Sequence, residues 1–116
     1  MIEKTIIDYL NQHLTGAVAY TQEPANKNPA GSLFVTVEKT GSQMNNHLYT
    51  SVIAVQSYAP SLYGAASLDE TVRNLMLAIP DEVAEISGIR LIGNSNYTDE
   101  SKRQQRYQAV FDVIHY

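Results

Sequence analysis

The sequence predicts one α+β domain: an antiparallel or mixed β-sheet carrying a long β-hairpin arm, with two α-helices packed on one face, in the order α-β-β-β-α-β-β over residues 1–116. Three observations predict it. Two segments, beginning at Ile2 and Leu62, place apolar residues at helical spacing. The run His47 to Ala59, HLYTSVIAVQSYA, holds no charged residue and is β-branched at its centre, so it reads as one unusually long strand ending at Pro60-Ser61. Finally, 116 residues with 44% apolar content suffice for one core without disulfide staples.

Taking the elements in order, Ile2, Ile6, Ile7, Leu10 and Leu14 form the stripe of the first helix, which Gly16 is placed to end. A short strand over Ala17 to Tyr20 precedes the loop TQEPANKNPAG, marked by its prolines, asparagines and glycine. Leu33 to Glu38 is a strand. Gly41 to Asn46 is polar and contains glycine, so it reads as a turn joining that strand to the long one in an antiparallel hairpin. A strand of that length in a small domain is expected to reach past the core and serve a neighbouring subunit.

Ser61 caps the second helix, whose inward face is Leu62, Ala65, Ala66, Leu68, Val72, Leu75, Met76 and Ile79, with Asp69, Glu70 and Arg73 outward and Pro80 at its end. DEVAEISG reads equally as a helical turn or a loose connection. Ile89 to Ile92 is a strand, and GNSNYTDESKRQQ a polar loop. Arg106 to Tyr116 alternates, with Tyr107, Ala109, Phe111 and Val113 opposite Gln108, Val110, Asp112 and Ile114. The sheet face away from the helices, where Phe34, Val110 and Ile114 are expected, is left partly apolar, as a partner-seeking surface is.

Composition narrows the function. A net charge of −4 lacks the basic face of a protein that binds nucleic acid by neutralising phosphates. Without cysteine there is no disulfide frame, thiolate zinc site, cysteine nucleophile or thiol redox chemistry. The first residues mix charged and apolar positions and no window approaches membrane-spanning length, so a soluble chain without a secretion signal is expected. Eight tyrosines and no tryptophan suit an interface.

Motifs for chemistry are sparse. Asp81, Glu82 and Glu85 crowd together without metal-loop spacing and read as a solvated helix end. His13, His47 and His115 each lack a second ligand at motif spacing. The glycines are isolated and no serine sits in a G-x-S-x-G elbow, so no catalytic residue, cofactor-binding residue or metal ligand is assigned, and no enzyme activity is expected. Lys102, Arg103 and Arg106 form a basic cluster beside Asp99 and Glu100, read either as a self-neutralising loop tip or as a contact for an acidic partner.

FVTVEKTG from Phe34 to Gly41, the strand ending SVIAVQSYAPS, the helix LYGAASLDETVRNLML and the closing RYQAVFDVIHY together resemble the small tail terminator, or tail-to-head joining, proteins of long-tailed phages and prophages. The likeness spans nearly the whole chain, and its most specific pieces are Val35 to Gly41, Gln56 to Ser61 and Arg106-Tyr107-Gln108. The chain departs from many relatives at Gly41-Ser42-Gln43, where a second glycine is usual. The resemblance implies a structural virion protein without cofactor or activity. Assembled in the bacterial host cytoplasm, it would form a ring of about six subunits that caps the tail tube, stops its polymerisation and joins tail to head. Its partners would be copies of itself, the tail tube protein and the head-tail connector or stopper protein. DNA would pass through the ring without sequence-specific binding, and no membrane is involved.

On this reading the expected interface residues are Gly41, Ser42, Gln43, Met44, Asn45 and Asn46 at the arm turn, and Tyr97, Lys102, Arg103 and Arg106 at the second loop. Three other functions fit the same elements. One is another neck protein, a stopper or head-completion protein; one is a small ligand-sensing oligomeric module; the last is a small enzyme using the carboxylates near Asp81.

Overall fold

The computed structural model describes residues 1–22, 33–98 and 104–116. The order is α1 (Ile2–His13), β1 (Ala17–Tyr20), β2 (Leu33–Asn45), β3 (Leu48–Ala59), α2 (Leu62–Leu77), a 3-10 turn (Ile79–Asp81), β4 (Ile86–Asn96) and β5 (Gln105–His115). This is the α+β class the sequence predicts. The five strands form one mixed sheet in the order β1-β2-β3-β5-β4, with β1 parallel to β2 and the other neighbours antiparallel.

Strand alternation divides the sheet's side chains between two faces. Val35, Val37, Ile53, Val55, Ala109, Phe111 and Val113 share one face and form a single core with Ile2, Ile6 and Leu10 of α1 and Leu68, Val72 and Met76 of α2. Both helices therefore cover the same face. Each fully buried aliphatic or aromatic side chain there contributes about 1.5–3 kcal/mol of apolar burial. Tyr9 joins α1 to α2 by donating its hydroxyl to the Leu75 carbonyl at 2.7 Å.

The helix ends follow local chemistry. Ser61 accepts from the Gly64 amide, which occupies one of the donors a helix start leaves unpaired. At the other end α2 stops at Leu77, and Pro80 lies inside the 3-10 turn rather than terminating the helix directly. The helix α1 ends at His13, ahead of Gly16, whose φ of 80° instead turns the chain into β1.

Several expected boundaries move. The first strand of each hairpin is longer than expected, since β2 runs to Asn45 and β4 takes in Ile86 to Asn96. The first four residues of the expected loop, Gly93 to Asn96, are thus strand. The long strand β3 does not overhang the core as a free arm. It is the central strand, paired with β2 from Leu48 to Tyr58 and with β5 from Tyr49 to Ala59. Its apolar, two-sided character reflects neighbours on both edges, whereas β2 beyond Thr36 is paired with a described strand on one side only.

Candidate functional site

The expected arm residues lie at one end of a molecule 45 Å long and 25 × 24 Å across. Gly41, Ser42, Gln43, Met44 and Asn45 are not a turn, as the sequence reading had them, but the last residues of β2, facing Val52 to Leu48 across the hairpin. The turn is Asn46-His47, both at positive φ (53° and 68°). That pair of conformations makes the two-residue turn whose twist matches the flanking strands, and asparagine tolerates it best. Gly41 is not required by its backbone or by crowding, because a Cβ there would meet nothing within 4 Å.

Register explains why the arm has a bare flank. β1 pairs with β2 only across Leu33 to Thr36, so among the described residues no strand lies along the side of β2 away from β3 between Val37 and Asn45. A bulge at Thr40 interrupts this edge, where Lys39 faces Ile53 and Gly41 faces Val52. Beyond it, Gly41 to Asn45 has no charge, proline or further bulge, the usual guards of an exposed edge. The opposite edge, β4, carries register shifts at both Ile86/Gly88 and Leu91/Gly93. Met44 and Tyr49 are exposed beside the bare stretch.

At the other end, Tyr97 and Arg106 come together. The Tyr97 amide donates to the Arg106 carbonyl, and the Arg106 Nε donates back to the Tyr97 carbonyl at 2.9 Å. The Arg106 guanidinium lies 4.7 Å from the Tyr97 ring centre and 5.5 Å from that of Tyr58, within cation–π range of both. Tyr58 stacks on Phe34, whose ring meets Tyr20 edge-on. An aromatic row thus crosses the sheet face away from the helices. Phe34 was expected to be left uncovered there, yet it is only 2% exposed, while Ile114 remains partly exposed. Lys102 and Arg103 lie outside the described residues.

Two polar features escaped the sequence reading. Asp69, expected to face outward, is 1% exposed, because it accepts from Arg73 at 2.9 Å and from the Asn94 side chain at about 3 Å. It ties α2 to β4, and the signal was the Asp69/Arg73 spacing of one helical turn, which the pattern of apolar residues alone obscured. At the arm's root, Ser51 and His115 are buried and their Oγ and Nε2 lie 2.7 Å apart. His115 Nδ1 donates to the Tyr116 carbonyl oxygen, which leaves Nε2 to accept from Ser51, while Ser42 donates to Ser51. This Ser–His pair cannot present a nucleophile. Ser51 is fully buried, and Tyr49 stacks on the His115 ring. The row instead pins β2, β3 and β5 together.

A small cluster of ionisable groups lies at the C-terminal ends of the two helices. His13 Nε2 lies 2.7 Å from Glu82, and the Tyr9 and His13 rings are 4.6 Å apart. Burial, with the negative charges of Glu82 and Asp81, pushes the Tyr9 phenol above its ordinary range. Among the described residues no group of three His, Asp or Glu side chains gathers to hold a metal ion, and no helix is long and apolar enough to cross a membrane. No protein-family model matches the chain, and no curated protein matches it either.

Proposed function

We propose that this chain is a structural, ring-forming tail terminator of a long-tailed phage or prophage, which caps the tail tube and presents the surface that meets the head. Support comes from the sequence likeness described above and from one structural observation, the bare β2 edge from Val37 to Asn45 on an elongated molecule. An unguarded strand edge pairs readily with a strand of another chain. A head-to-tail contact of this kind closes into a ring when its rotation permits. Acidic protein around a DNA passage also avoids trapping the phosphate backbone, and the net charge is −4.

The test is polymerisation of the cognate tail tube protein with and without the purified chain. Rings bound at tube ends, with tube growth halted, are the expected result. Tubes that grow unchanged and carry no protein at their ends would overturn the assignment.

A further inference from the structure

The sheet face away from the helices holds a hydrogen-bond chain whose direction is fixed by one residue. A guanidinium cannot accept, so where Arg106 Nη1 meets the Tyr58 hydroxyl at 3.2 Å the phenol oxygen is the acceptor. The phenol proton then goes to Gln56 Oε1 at 2.9 Å, an oxygen that also receives the Thr36 hydroxyl. Gln56 has only its amide left to offer, and it donates to Gln108 Oε1 at 2.9 Å. Every acceptor oxygen along the chain already receives a hydrogen bond from within it. The ends, Arg106 Nη2 and the Gln108 amide, sit two residues apart on one face of β5 and are bonded by no described residue. Such a site offers donors only, carries a fixed positive charge and is held rigid by two aromatic rings, so it fits a carboxylate.

The same chain supplies carboxylates at its far end. Glu85 accepts from the Tyr116 amide through its carbonyl, and Ile86 pairs with His115, which faces Tyr49. Arg106 faces Tyr58. Along β3 the two ends are therefore separated by about 30 Å at ordinary strand rise. Asp81 and Glu85 are exposed and ion-paired with no described cation, whereas Glu82 is held by His13.

We infer that Arg106 and Gln108 form a carboxylate-binding site for the Asp81–Glu85 segment of a second copy, giving a polar head-to-tail contact. The contact rests on the ring reading above and specifies its electrostatic half. As a head-to-tail contact it is heterologous and repeats from copy to copy, whereas reciprocal pairing of both ends about a two-fold axis would give a closed dimer.

The test is the mass by light scattering of the full chain, of Arg106→Glu, of Asp81→Arg/Glu85→Arg, and of an equal mixture of the two variants. Each variant alone juxtaposes like charges and is expected to associate at least about tenfold more weakly than the parent chain. Their mixture should regain the parent mass, since every junction then pairs opposite charges in alternating order. Circular dichroism shows whether each variant is folded, and Arg106→Gln serves if Arg106→Glu is not. Parent rings that Arg106→Glu leaves intact, or a mixture that stays dissociated, would overturn the contact while the ring reading stands. Open chains broken by Arg106→Glu and restored by mixing would support the contact and remove the ring. A parent chain that remains monomeric up to millimolar concentration would overturn both, and loss of tube binding without loss of self-association would reassign the site to another protein.

Discussion

Along β3, Ile53 and Val55 lie under both helices with no exposure, while Tyr49 and Thr50, on the same strand, are exposed beside the arm turn. The first region is apolar and filled by α1, α2 and side chains from all five strands. The second holds its strands together with a serine–histidine row and leaves a backbone edge bare. One strand thus serves two physical tasks, since burial specifies the fold and unsatisfied edge groups are left for association. Changes at the helix-covered end should alter stability, and changes at the arm should alter assembly with little cost to the monomer.

The largest effect is expected at Phe111, which has no exposure and lies within the core. Phe111→Ala should lower unfolding free energy by about 3–5 kcal/mol in urea titration, through lost burial and the cavity left behind. A loss under 1 kcal/mol would show that the helices do not clamp this face. Next is Asp69→Ala, which leaves the Arg73 and Asn94 donors without their acceptor, with an expected cost of about 1–3 kcal/mol.

Tyr9→Phe follows, losing the hydrogen bond to Leu75 at a cost of about 1 kcal/mol. It also carries a pH signature. The phenol's folded pKa is raised above its ordinary 10.0, so its contribution is fully present below that pH and is lost as pH climbs through the folded value. Thermal melts above pH 10 should therefore fall more steeply for the parent chain than for Tyr9→Phe, and parallel curves would contradict this. The smallest stability change is expected for Gln43→Lys/Met44→Lys at the bare edge, within about 0.5 kcal/mol. Sedimentation should nevertheless show weakened self-association, because lysine on an edge strand discourages pairing. An unchanged assembly would separate the arm from the interface.

Fold class was readable because the two helical stripes and the alternation of β5 are strong local periodicities. The parallel placement of β1 and the extension of β2 through Gly41–Asn45 were not. That stretch is polar and contains glycine, which reads as a turn, and its strand state is imposed by pairing with Leu48–Val52. Central position, which makes β3 long, is likewise a property of its neighbours. The contact residues expected on the arm were assigned to a turn, whereas Gly41 to Asn45 are strand and only Asn46 lies in the turn. Tyr97 and Arg106 were named as contact residues, and the structure adds their packing against each other and against Tyr58. The glutamine chain behind Arg106 was invisible because Gln56 and Gln108 meet only through the β3–β5 register. Asp69 was misplaced because a charged residue next to Glu70 reads as surface until its two donors are brought to it.

An elongated monomer whose β2 edge lies bare from Val37 to Asn45 should assemble into a closed ring. Absolute mass by light scattering across a wide concentration range, with electron imaging of the large species, tests it most directly. The account predicts closed rings of about six copies with a central opening. A stable dimer, its two bare β2 edges paired about a two-fold axis, would contradict it.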